Sequence, residues 1–256
     1  MRPRAMAEPS KKDLLRRFLK GIETGDAMAA AVVNEARYIQ HNPQTHEGSE
    51  GIAALFARLS GTNPRVTFCR VFQDGDFAFA HNEYDFASCR AAFEVFRFEN
   101  NQAVEHWDNI QPLQPPNPSG RGMLEGADQI TDLHLTETNR ALIRDYVSRC
   151  LIGGDHPSLA HYVAPDLIQH SPRYGDGAQA LSAALQDPAQ GGVYQHLHRV
   201  LAEGNFVLSM SEGQLKGAHT SFYDLHRIAD GRIVEHWDTV ETVPPRSEWK
   251  NDNGKF

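Results

Sequence analysis

Two copies of the pentapeptide VEHWD, at Val104–Asp108 and Val234–Asp238, each set a histidine two residues from an aspartate. On a β-strand, successive side chains point to opposite faces. His106 and Asp108 therefore share one face, and Glu105 and Trp107 the other; His236 with Asp238, and Glu235 with Trp237, repeat the arrangement. An imidazole and a carboxylate side by side in an apolar pocket have displaced pKa values and suit general acid–base work. The plainer alternative is a hydrogen-bonded pair that only shapes a sheet rim. Trp107 and Trp237 read as fillers of an interface on the opposite face.

His41 and His170 are the next candidates. Each precedes a chain break, Asn42-Pro43 or Ser171-Pro172, and a histidine at a strand end titrates near neutrality. The alternative for both is a local hydrogen bond that fixes the turn. His81 is matched by Met210, so the two halves are chemically unequal; it reads as a satisfied sheet histidine more readily than as a cavity group. His196, His198, His219 and His226 do not have zinc spacing, and no metal site is expected. No phosphate loop or nucleophile elbow is present in the sequence.

The elements that must position these residues occur twice. In the first half, Leu14, Leu15, Phe18, Leu19 and Ile22 repeat at helical spacing and stop at Gly25. A short helix over 26–35, an extended Tyr38–Pro43 and a helix over 48–59 follow. Strands are expected over 66–72, 77–86, 91–98 and 103–111, with hairpin signals at Asp74-Gly75 and Asn100-Asn101. In the second half a helix is expected over 139–151. Leu167–Pro172 matches Tyr38–Pro43 at an offset of 129, and Tyr223–Arg227 matches Phe93–Arg97 at 130. The repeat is thus domain-wide: 11–112, a Pro/Gly-rich linker over 113–134, semi-rigid where prolines cluster, and 135–243. Residues 1–10 read as a disordered lead-in.

Composition sets the outer bounds. The net charge of −8 argues against a nucleic-acid partner. No apolar run approaches a membrane span, and no leader is evident. Cys69, Cys89 and Cys150 are odd in number and irregularly spaced, which reads as reduced thiols in a cytoplasmic protein.

Three helices, a short strand ending in His-x-Pro and a four-stranded meander closing on VEHWD resemble the nuclear transport factor 2-like superfamily. Within it, the YIQHNP segment and the terminal IVEHWD strand resemble SnoaL-like polyketide cyclases and aldol-condensation proteins. The resemblance implies an α+β fold: two tandem cone-shaped barrels, three helices on a curved, mostly antiparallel sheet, paired as an intrachain pseudo-dimer that could pair further as a homodimer. It also implies that His106, Asp108, His236 and Asp238 face the cavity. Glu94 and Asp224 match the position of an oxyanion-binding carboxyl in the ketosteroid isomerase branch, although Arg97 or Arg227 could pair with them instead. That branch has an aspartate base where this chain has Asn42 or Ser171, and a helix tyrosine where it has Phe18, with Tyr146 one residue off register. Simple steroid-type isomerisation is therefore disfavoured.

The reading is a cofactor-free acid–base enzyme acting on a small apolar carbonyl compound. Asp108 and Asp238 would move the proton, assisted by His106 and His236, with His41, His170, Glu94 and Asp224 as further acid–base groups. The alternatives are a non-catalytic module that binds a small hydrophobic ligand, and a chain with one live and one degenerate cavity.

Overall fold

The computed structural model describes residues 8–256. Residues 1–7 of the expected lead-in lie outside the described residues. Its last residue, Ser10, is the N-cap of helix α1 (Lys11–Thr24): its hydroxyl accepts the Asp13 N–H, and the Asp13 carboxylate accepts the Ser10 N–H. The apolar stripe Leu14, Leu15, Phe18, Leu19 and Ile22 is buried. The short helix expected over 26–35 is a 3-10 helix, Ala27–Val32, capped by the Asp26 carboxylate. Next come β1 (Ile39–Gln40), α2 (Gly48–Ser60), β2 (Arg65–Asp74), β3 (Phe77–Asp85), β4 (Cys89–Glu99) and β5 (Gln102–Pro112). The second half has α3 (Thr136–Tyr146), continuing into a π-helical turn, then α4 (Leu159–Tyr162), β6 (Val163–Gln169) and α5 (Ala178–Leu185). Strands β7 (Val193–Glu203), β8 (Phe206–Leu215), β9 (Ala218–Ala229) and β10 (Arg232–Thr242) complete it.

Each half forms one five-stranded sheet, ordered β1-β5-β4-β3-β2 and β6-β10-β9-β8-β7. All neighbours are antiparallel except β1 and β6, which run parallel to β5 and β10. The fold is therefore α+β in two similar parts. Asn100 and Asn101 both take positive φ, 49° and 61°, as a tight hairpin turn between right-twisted strands requires. Among the described residues, no helix is long and apolar enough to cross a membrane.

Strand alternation divides the apolar residues into three cores. Two lie between helices and inner sheet faces, one in each half. The third joins the outer faces of the two sheets. There the register aligns Phe72, Phe79, Val95 and Trp107 in one row across β2–β5. Leu201, Leu208, Leu225 and Trp237 form the matching row across β7–β10. All eight side chains are buried. Polar contacts lock the same interface: the Asn109 side-chain amide donates to the Thr239 carbonyl (2.8 Å) and the Ser221 carbonyl (3.3 Å). Arg199 stacks over Trp107 at 4.3 Å, and Arg70 over Trp237 at 4.2 Å.

Side chains of both sheets hold the segment between the halves. Arg70 donates to the carbonyls of Leu124, Glu125 and Ala127, and Trp237 Nε1 donates to the Glu125 carbonyl at 2.7 Å. Gly126, at φ 97°, passes so close that a Cβ there would lie 2.2 Å from Glu235 Oε1.

Because Trp107 and Trp237 sit at the centre of the third core, Trp107→Ala or Trp237→Ala should each cost about 3–5 kcal/mol. Urea unfolding monitored by circular dichroism would show this as a lowered midpoint. A loss below about 1 kcal/mol would mean that the sheets do not depend on this contact.

Candidate active site

In the first half, pairing of β4 with β5 sets Glu94 directly opposite Asp108 and Phe96 opposite His106. These groups line a cavity of about 350 Å³ walled by Phe18 and Ile22 of α1, Ile52 and Leu55 of α2, and Tyr38. His106 Nε2 lies 2.6 Å from Glu94 Oε2, and Tyr84 donates its hydroxyl to Glu94 Oε1 at 2.7 Å. His106 Nδ1 lies 2.8 Å from Gln40 Oε1. That oxygen also accepts the Asn42 N–H at 2.9 Å, which orients the Gln40 amide and leaves Nδ1 as the protonated ring nitrogen. Nε2 is then the nitrogen that faces Glu94.

The two carboxyls are pushed apart in pKa. Burial raises Glu94 above the ordinary carboxylate range, against the opposing pull of His106. Burial also acts to raise Asp108, but the Lys255 ammonium, His106 and Asn42 outweigh it and hold Asp108 below that range. Asn42 Nδ2 is 2.6 Å from one Asp108 oxygen and Lys255 Nζ is 3.2 Å from the other. Two acids whose pKa values are displaced in opposite directions within one cavity are a pattern suited to proton transfer.

The second half keeps the polar skeleton but not the space. His236 Nε2 is 3.1 Å from Asp224 Oδ1, and His236 Nδ1 is 2.7 Å from Gln169 Oε1, which also accepts the Ser171 N–H. Its cavity is only about 10 Å³. At positions matching Thr45, Val66 and Ala92 stand Tyr174, Tyr194 and Phe222. Tyr194 and Phe222 stack with ring centroids 4.3 Å apart. The carboxylate-binding tyrosine has changed strands. Tyr84 of β3 faces Val66 of β2, whereas Gly213 of β8 faces Tyr194 of β7, which donates to Asp224 at 3.1 Å. A β-bulge between Tyr194 and His196 accompanies the exchange, and a Cβ on Gly213 would lie 2.0 Å from the Val193 carbonyl oxygen. Asp238 is sealed by the Arg173 guanidinium (2.5 Å) and the Ser171 hydroxyl (3.0 Å).

His41 and His170 are not brought to the cavities. Gln40 faces inward beside His106, so the next residue points to the tryptophan side. His41 stacks on Trp107 (4.6 Å) and binds Glu105 through Nε2 (3.0 Å); His170 stacks on Trp237 (5.0 Å) and binds Glu235 (2.9 Å). Arg97 and Arg227 pair with Glu105 and Glu235 at 2.7 Å, leaving Glu94 and Asp224 to the histidines. His81 lies in the sheet–sheet core, stacked on Phe93 and 3.1 Å from Arg70. His226 packs beside His236, and burial with that neighbour pushes its pKa down to about 3, so it is neutral. His198 and His219 share Glu212 at the other end of the sheet.

Six site residues were missed from the sequence: Gln40, Tyr84, Gln169, Arg173, Tyr194 and Lys255. Gln40 and Gln169 could have been found, because both sit inside the matched segments and alternate with the histidines. The tyrosine exchange and Lys255 have no equivalent local signal.

Glu94, His106 and Asp108 each offer a ligand atom within 4.8 Å of the others, as do Asp224, His236 and Asp238. Each cluster already carries a protein cation on its aspartate, Lys255 or Arg173, which a metal ion would have to displace.

The SnoaL-like domain family profile matches residues 143–236, from α3 to the middle of β10. No curated protein matches the chain. Among solved structures, a provisionally named ketosteroid isomerase from Kribbella flavida DSM 17836 is 23% identical over 43% of this chain and 84% of its own, with a TM-score of 0.38. An NTF-2 like protein of unknown function from Burkholderia xenovorans LB400 is 18% identical over 47% of this chain and 99% of its own, at 0.39. TsrD from Streptomyces laurentii is 22% identical over 38% and 85%, at 0.34.

Asp238 and Asp108 should respond differently to neutralisation. Asp238→Asn strips the half-buried Arg173 of its only carboxylate among the described residues and should cost about 3 kcal/mol. Asp108→Asn leaves Lys255 paired with Glu241 at 2.9 Å and should cost clearly less. Parallel chemical denaturation of the two variants checks this ordering.

Proposed function

We propose that the first-half cavity is the working site of a cofactor-independent acid–base enzyme for a small, largely apolar carbonyl compound. The observation that carries this reading is the Glu94–Asp108 pair, directly opposed across two strands, with pKa values displaced in opposite directions, in a cavity of about 350 Å³. Asp108, ionised, removes a proton from the carbon next to the carbonyl. The Glu94–His106 pair, in contact at 2.6 Å, supports the developing enolate oxygen with a hydrogen bond or gives it a proton. Return of the proton to another carbon gives isomerisation; its delivery to a β-hydroxyl that leaves as water gives elimination; attack of the enolate carbon on a second carbonyl, whose oxygen takes up the proton, gives cyclisation. Apolar walls keep water from competing with these hydrogen bonds.

The second half serves in this reading as a structural partner. Its cavity is filled by aromatic rings and its Asp238 is held by Arg173, so the two halves form an intrachain pseudo-dimer with one open cone. Arg58 and Arg90 line the open cavity and make no ion pair among the described residues, so they are free to meet a polar end of the substrate. The SnoaL-like match in the second half supports the general class of small-molecule cavity, not a particular substrate.

Solvent deuterium incorporation into a panel of ketones and 1,3-dicarbonyls tests the proposal. Asp108→Asn should lower exchange by about a hundredfold or more, and Glu94→Gln should also lower it. Asp238→Asn, assayed while folded, should leave exchange near the wild-type rate. Loss of exchange in Asp238→Asn alone, or no exchange across the panel, would overturn this assignment and favour a binding module.

A further inference from the structure

We propose that Lys255, carried by the segment that leaves the second half, is a positioning residue that holds the Asp108 carboxylate for the first-half cavity. The site is then composite, with its base and the cation that orients it coming from different halves. The inference rests on the reading of Asp108 as the base.

After β10 the chain crosses back to the first half and binds the loop around Pro43. The Lys250 N–H donates to the Pro43 carbonyl at 2.8 Å, and Asn251 Nδ2 donates to the carbonyls of Asn42 (2.8 Å) and Thr45 (2.9 Å). Asn253 Nδ2 donates to the Gln40 carbonyl at 3.0 Å, and His41 Nδ1 donates to the Gly254 carbonyl at 3.1 Å. The next residue, Lys255, is 2% exposed; its ammonium reaches Asp108 Oδ1 (3.2 Å) and Glu241 Oε2 (2.9 Å).

The linker does the same thing in the opposite direction, tied to the loop by an Arg121–Asp176 ion pair at 2.8 Å but with a neutral residue at the place of Lys255. It leaves the first half and binds the matching loop of the second: Asn117 Nδ2 donates to the Gln169 carbonyl (2.6 Å) and His170 Nδ1 to the Gly122 carbonyl (2.8 Å). The next residue is Met123, buried against Gln111, which stands where the other half has Glu241. Glu241 accepts the Ile110 N–H and Gln111 accepts the Val240 N–H, a reciprocal pair. A docked arm therefore accommodates a neutral Met–Gln pair at this position. The charged Lys–Glu pair occurs only on the side with the open cavity, where it places an ammonium on Asp108. In the second half the cation on Asp238 comes from Arg173, two residues beyond Ser171 in the same half. Lys255 approaches without lining the cavity, so it neutralises Asp108 and leaves the space free.

Asp108 is faced by His106 on its own strand, Glu94 on β4, Tyr84 on β3, Tyr38 before β1, Glu241 on β10, and Lys255. Comparing Glu241→Gln with Glu241→Gln/Lys255→Met in the full chain isolates the ammonium, because the double variant reproduces the neutral Gln111–Met123 pair. Carboxyl-carbon NMR, with the Asp108 signal assigned through Asp108→Asn, gives the titration midpoint without any substrate. The midpoint should rise by about one pH unit or more in the double variant relative to Glu241→Gln, and Glu241→Gln/Lys255→Arg should reverse most of the rise. The ascending limb of deuterium exchange against pH should move by the same amount. Equal midpoints in the folded Glu241→Gln and double variants would overturn the proposal. A shifted midpoint in a protein that shows no exchange on any substrate would instead uphold Lys255 and count against the acid–base reading.

Discussion

Everything in this molecule depends on burying the outer faces of two sheets against each other. A curved sheet has two faces, and helices cover only the concave one. The convex rows ending in Trp107 and Trp237 are apolar, and each half alone would leave them in water. Strand periodicity links this burden to function: with Trp107 committed to the interface, His106 and Asp108 must face the cone. The crossed cation–π contacts, Arg199 on Trp107 and Arg70 on Trp237, extend the same constraint to both halves.

Once the interface is secured, the two interiors are free to diverge. Glu94, His106 and Gln40 in one half correspond to Asp224, His236 and Gln169 in the other, with nearly the same hydrogen bonds. What differs is volume and the source of the balancing cation. Three larger rings, Tyr174, Tyr194 and Phe222, fill the second cone, and Arg173 closes over Asp238. In the first cone, Ala92 and Thr45 leave room and the cation comes from outside the cavity. Because the polar core survives in a nearly closed pocket, the His–carboxylate pair has a structural role in the second half whatever it does in the first.

Much of the fold was legible because it rests on periodic signals. The VEHWD repeat, the helical stripe ending at Gly25 and the Asn100-Asn101 turn each report a local backbone preference that tertiary packing reinforces. The same alternation that oriented Asp108 also places His41 on the tryptophan side, a consequence that the turn position of His41 obscured. Glu94 was legible only through the family resemblance. Tyr84, Tyr194 and Lys255 act through long-range pairing: a one-residue bulge moves a tyrosine to the neighbouring strand, and a segment 147 residues away in sequence delivers an ammonium. No window of sequence contains either relation.

The proposed assignment gives one chain one open, acid–base-equipped cone. Isothermal titration with naphthols, whose phenolate oxygen mimics an enolate, tests it most directly. The account predicts one binding equivalent per chain, abolished by Ala92→Phe, which copies the filling of the second cone, and little affected by Phe222→Leu. Two equivalents per chain, or one equivalent that survives Ala92→Phe, would contradict it.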